Sequence, residues 1–187
     1  MTSRTLNPEK IVRTAMQLIN EQIPLSFTNI SKQLGTRSQA LYNYFTDVKS
    51  LNVAIAKLYS TDLFNFLQSA LIGISGKAAV IRYAISVRNY SLEHFRIAQF
   101  VISTPREQLQ ANQADASDWS IRNLLNQLLD TMSLTPTQHL NASRMIRNLV
   151  IGEILNVGSG WFKNETVAET ASFERMLTVG LKHLDEL

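Results

Sequence analysis

The chain has 187 residues, 45% of them hydrophobic and 18% charged. That balance excludes a disordered chain and suits one large domain, or a small domain joined to a larger one. It contains no Cys, which excludes disulfides and thiolate metal sites and is compatible with a reducing cytosol. The net charge of +3 is uneven: residues 1–60 hold seven of the eighteen basic residues but three of the fifteen acidic ones, so a polyanion is expected at that end. No apolar run approaches the ~20 residues of a membrane span. The opening MTSRTLNPEK lacks the apolar stretch of a signal peptide.

Only 7 Gly and 4 Pro punctuate the chain, and no alternating apolar pattern is sustained. The expected fold class is therefore all-α, with about nine helices. Asn7 caps the first helix, with Pro8 at its first position and Glu9 at its positive end. Ile11, Val12, Ala15, Met16, Leu18 and Ile19 form its apolar stripe. Ser26 caps a second helix over 27–34 that buries Ile30 and Leu34, and Gly35 supplies the positive φ of a tight exit. Ser38 is expected to cap a third helix from Gln39 to about Phe45. Asp47 caps a fourth, with Leu51, Ile55, Leu58, Leu63, Phe66 and Leu67 buried. Gly73 and Ser75-Gly76 precede a long helix ending near Glu93, and another runs from Phe95 to before Pro105. Residues 106–117 are polar and read as a loop or a weak helix end. An amphipathic helix over 118–132 follows. Thr135-Pro136 is a cap followed by proline, a strong helix start. That helix reaches about Val157, before Gly158-Ser159-Gly160. A last helix spans about 168–184, with Phe173, Met176, Leu177, Gly180 and Leu181 on one side.

Residues 25–45, LSFTNISKQLGTRSQALYNYF, carry the most chemistry: two short helices broken at Gly35, the second polar on one face. A helix that reads DNA must be short, held by a scaffold and polar outside. Leu41 and Phe45, four apart, face inward. Ser38, Gln39, Ala40, Tyr42, Asn43 and Tyr44 are left to face out. Gln and Asn pair bidentately with adenine, Ser and Tyr reach phosphates, and the Ala methyl meets a thymine methyl. Thr28, at the positive end of its helix, is placed for a phosphate, and Arg37 at the turn reaches a phosphate or a guanine. Spacing alone leaves open an αα-hairpin with a solvated polar face.

At these residues the chain resembles the TetR family of transcriptional regulators (AcrR-like). Leu25, Ile30, Leu34-Gly35, Leu41-Tyr42 and Tyr44-Phe45 stand at the matching positions of the family pattern. Thr36 replaces the usual Val, and Val48 stands where a Lys is common, with Lys49 one place later. The phosphate-contacting role is carried to Lys49 across that shift. Further along, Arg88-Asn89-Tyr90, Glu93-His94-Phe95, Gly152-Glu153 and Gly158-Ser159-Gly160-Trp161-Phe162 resemble the C-terminal domain of the WHG subgroup, although the signature's own Trp and His are absent.

The resemblance implies a helix-turn-helix DNA-binding domain over 1–48 and a helical ligand-binding and dimerisation domain over 49–187. It implies a cytoplasmic homodimer on a palindromic double-stranded operator, acting as a repressor released by a small-molecule effector. The last two helices would make the dimer contact, with Ala142, Ser143, Gly152 and Gly180 allowing close approach. The alternative for those small residues is relief of crowding inside one subunit. Phe64, Phe95, Phe100, Trp119, Met145 and Trp161 are candidate pocket residues, with His94 or His139 as polar handles. Aromatic residues on helices are also the ordinary filling of a bundle. Three scattered His and no Cys leave no expected metal site or cofactor. No G-x-x-x-x-G-K, H-E-x-x-H or G-x-S-x-G occurs, so no enzyme is expected. The alternative function is a protein-interaction module whose helix-turn-helix does not read DNA.

Overall fold

The computed structural model describes residues 6–110, 117–162, 166–184 and 186. Among them it has ten helices and no strand: α1 (Pro8–Asn20), α2 (Phe27–Leu34), α3 (Ser38–Leu41), α4 (Val48–Ala70), α5 (Gly76–Glu93), α6 (Phe95–Ser103), α7 (Arg106–Gln110), α8 (Ser117–Asp130), α9 (Pro136–Gly158) and α10 (Glu169–Lys182). The all-α expectation holds. Most helix boundaries follow local signals. The Asn7 side chain accepts from the Lys10 amide at 2.8 Å. Asp47 Oδ1 accepts from the Ser50 amide at 2.7 Å. Thr135 and Gln138 cap each other reciprocally, with Thr135 Oγ1 accepting from the Gln138 amide and Gln138 Oε1 from the Thr135 amide.

The chain divides into two compact units, one formed by Met1–Ser60 with Arg96–Asp115 and the other by Thr61–Phe95 with Ala116–Leu187. In the first, α2 packs against α1 and α3. Its buried side chains include Ile11, Ala15, Leu18, Phe27, Ile30, Leu41 and Phe45. Withdrawing one such leucine or isoleucine from water contributes about 2 kcal/mol, which is what holds a helix as short as α3 in place. Leu34 and Leu58 are only half-buried.

In the second unit, α5 packs against α8, α9 and α10, and α9 against α8 and α10. Ala79, Val80, Ala84, Leu125, Leu129, Ala142, Ile146, Phe173 and Leu177 are fully buried. At its centre is an ion pair. Arg88 of α5 and Glu153 of α9 are 5% and 4% exposed, and Glu153 Oε1 accepts from Arg88 Nε at 3.0 Å and Nη2 at 2.9 Å. The guanidinium carbon lies 5.7 Å from the ring centroid of Phe173 in α10. One charge pair thus ties three helices.

Two expectations on apolar faces are corrected. Phe66 is exposed, its ring stacking on Tyr90 at 5.3 Å, and Met176 is exposed on α10. The buried stripe is narrower than the apolar one: Leu63, Leu67, Phe173 and Leu177 fill the inner positions. Among the small residues, Ala142 and Ser143 are buried, and a Cβ on Gly180 would lie 2.3 Å from Met145 Sδ, so these serve packing within the unit. Gly152 alone of the four faces open space.

Candidate nucleic-acid interface

The candidate interface lies wholly in the first unit. Ser26 starts α2 by accepting from the Asn29 amide at 3.1 Å. Gly35 ends it with φ 65°, a left-handed value that only glycine adopts without cost. The Gly35 amide donates to the Lys32 carbonyl and the Thr36 amide to the Ser31 carbonyl at 2.9 Å. These are the two bonds of a Schellman exit, and they aim the chain into α3.

The third helix differs from expectation. Arg37, not Ser38, is its N-cap and makes no side-chain cap bond; Ser38 is the first helical residue, and the helix closes at Leu41. A turn continues through Tyr44, with the amides of both Tyr44 and Phe45 donating to the Leu41 carbonyl. Ser38 does not cap because it already lies inside the first turn, one place past the cap position, and its Oγ instead lies 3.0 Å from the buried Ser31 Oγ of α2.

Leu41 and Phe45 are buried, as their spacing required. Around them Arg37, Gln39, Asn43 and Lys49 are exposed, Ser38 and Ala40 are half-buried, and Thr28 is exposed in the first turn of α2. Tyr42 is 58% exposed, but its ring meets Phe27 edge-on at 4.8 Å. Tyr44 is exposed, and its hydroxyl donates to the Leu6 carbonyl at 2.8 Å, fastening the lead into α1 to the end of the recognition segment. The structure therefore gathers Arg37, Ser38, Gln39, Ala40, Tyr42, Asn43 and Tyr44 on one short segment. Residues 28–46 hold no acidic side chain to repel a phosphate. Sequence reasoning missed Phe27, Ser31 and Leu6 as the braces of that segment. Ser31 carried a usable signal, since it adjoins Ile30 and precedes Leu34 by one turn and so falls on the buried side of α2.

The candidate pocket residues are spread differently. Phe64 is half-buried on α4, and Phe100 belongs to the first unit. A Cβ on Gly158 would lie 2.1 Å from the Phe95 ring, so Phe95 packs directly on that glycine, and Met145 lies on Gly180. Trp161 stands on the surface at 78% exposure. The side chain of Trp119 lies outside the described residues. The His94 ring meets Tyr90 at a tilt, centroids 4.6 Å apart, and His139 Nε2 lies 3.1 Å from Asp130 Oδ1. Among the described residues no helix is long and apolar enough to cross a membrane, and no group of three His, Asp or Glu is placed to hold a metal.

No family model matches the chain, and no curated protein matches it in sequence. Solved structures do. The fold, a short helix-turn-helix followed by a helical bundle, is that of the TetR-type transcriptional regulators. The transcriptional regulator SCO7222, a TetR from Streptomyces coelicolor, matches with TM-score 0.74 at 16% identity, over 98% of this chain and 99% of its own. A TetR variant from Acinetobacter baumannii AYE in complex with minocycline matches with TM-score 0.73 at 18% identity, over 97% and 98%. BioQ with its natural double-stranded DNA operator matches with TM-score 0.65 at 16% identity, over 97% of each chain.

Proposed function

We propose that the chain is a sequence-specific DNA-binding transcriptional regulator of the TetR type, a homodimeric repressor released by a small-molecule effector in the cytoplasm. The observation that carries this reading is the recognition segment itself. A four-residue helix, held by a Schellman exit before it and by Leu41 and Phe45 beneath it, carries exposed Gln39, Tyr42 and Asn43 beside exposed Arg37. Those side chains suit adenine edges and phosphates. The match to BioQ, solved on its operator, supports the DNA partner, and the match to a minocycline-bound TetR variant supports a small-molecule effector.

Dimerisation is assigned to α9 and α10. Leu140 and Ile151 of α9 and Met176 and Val179 of α10 are exposed apolar side chains, and Gly152 is open beside them. A two-fold dimer would set two recognition segments about 34 Å apart, or a multiple of that, and so select a palindrome. The effector is assigned to the second unit. It can drive release only through different affinities for the DNA-competent and incompetent states.

The test is titration of palindromic duplexes from DNA flanking the gene, with random duplex as competitor. Tyr42→Ala with Asn43→Ala should remove the specific component and leave the non-specific, salt-dependent one and the dimer intact. Because the Tyr42 ring also braces Phe27, Tyr42→Phe is the finer variant: it keeps the brace and removes only the hydroxyl. Specific affinity that survived the double change would refute the assigned face.

A further inference from the structure

The role of Ser38 depends on where its hydroxyl proton goes. The Ser31 hydroxyl, 5% exposed, sits between two partners: it donates to the Thr28 carbonyl at 2.9 Å and lies 3.0 Å from Ser38 Oγ. A serine hydroxyl has one proton and two lone pairs. The Thr28 bond takes the Ser31 proton. The bond between the two serines must then be made by the Ser38 proton, with Ser31 Oγ accepting. The reverse wiring, Ser31 donating to Ser38, keeps one of these bonds instead of two, and so loses a hydrogen bond at a buried position.

From this wiring we infer that Ser38 presents DNA with an acceptor and no donor, so that it reads an exocyclic amino group, adenine N6 or cytosine N4, in the major groove. Phosphate oxygens, guanine O6 and N7 and thymine O4 are all acceptors. None of them can bond to Ser38 while its proton is held by Ser31. Ser38 is half-buried at the first position of α3, flanked in sequence by exposed Arg37 and Gln39, and both lone pairs of its oxygen stay free to accept. Ser38 becomes a specificity-determining residue, and Ser31, which touches no base, a positioning residue that sets its polarity. This rests on the DNA-binding reading above. It departs from the expectation that Ser38 contacts a phosphate.

The experiment uses the full chain, a randomised double-stranded DNA pool, and then matched duplexes titrated over a salt series. The wild type should enrich a site in which one position of each half favours A or C on one strand. Ser38→Ala should flatten that preference by about 3- to 10-fold, the worth of one hydrogen bond, with the salt slope unchanged. Ser31→Ala releases the Ser38 proton and should admit G or T at the same position. Two results would overturn the inference while leaving DNA reading intact: a Ser38→Ala chain weakened evenly on all sequences with its salt slope reduced by about one, the mark of a phosphate contact, or a Ser31→Ala chain with wild-type base preferences. A wild type that enriches no sequence overturns the DNA reading and this inference with it. Should Ser31→Ala fail to give the helical circular dichroism of the wild type, Ser38→Ala decides the matter alone.

Discussion

Replacing Glu153 by Ala should be among the most damaging single changes in the second unit. The carboxylate is the charged partner of Arg88, receiving both Nε and Nη2 on Oε1 where each side chain is at most 6% exposed. Without it the guanidinium keeps the Asn89 Oδ1 contact at 3.2 Å and the face of Phe173, neither of which neutralises it. Leaving a buried charge uncompensated costs about 3–5 kcal/mol. For a chain of this size that lowers the melting temperature by roughly 6–20 °C. Glu153→Gln keeps an acceptor but, like the Asn89 amide, does not neutralise the guanidinium, so it should fall at the lower end of that range, about 3 kcal/mol. Arg88→Leu with Glu153→Leu removes both charges and should recover most of the single-variant loss, since an apolar pair at such a site is often as stable. Guanidinium chloride unfolding followed by circular dichroism measures all three, with each transition fitted separately because the chain has two units. A Glu153→Ala cost below about 1 kcal/mol, or a double variant worse than the single, would refute the buried-pair reasoning.

Gly158 and Gly180 should respond differently to Ala. At Gly158 the new Cβ would meet the Phe95 ring at 2.1 Å, and a planar ring must swing away at a cost of about 1–3 kcal/mol. At Gly180 it would meet Met145 Sδ at 2.3 Å; an unbranched side chain moves aside, and the helical gain of about 1 kcal/mol from Gly to Ala makes the change near neutral. Thermal melts of the two variants check the order. Lys49→Ala, at an exposed position, should weaken binding to all duplexes alike and reduce the slope of log affinity against log salt by about one, with melting unchanged. Burial, followed by the nearby charges of Asp62 and Glu93, holds the Tyr90 phenol above its usual 10.0. The unfolded chain therefore loses this proton first. Its contribution to stability is present below pH 10 and falls as the pH rises beyond it, which alkaline unfolding of wild type against Tyr90→Phe will register.

The features legible in the sequence were the local ones. Asn7-Pro8, Ser26, Gly35, Asp47 and Thr135-Pro136 act over three or four residues, so residue type at fixed spacing determined where helices begin and end. The burial of Leu41 and Phe45, one turn apart, followed from the same periodicity, and so did the polar outer face of the recognition segment. What the tertiary structure alone decided were contacts between separate elements. The Ser31–Ser38 bond crosses a turn, the Tyr44–Leu6 bond spans 38 residues, and the Arg88–Glu153 pair spans 65. Serine before a helix is usually its cap, yet the chain enters α3 one residue earlier, at Arg37, so Ser38 falls inside the first turn with its hydroxyl beside Ser31 of the neighbouring helix. Phe66 looked like core because it is aromatic on a helix, yet α4 turns it outward onto Tyr90. Periodicity says which face of a helix is apolar, but only packing says which other helix that face meets and which hydroxyl protons are spent there.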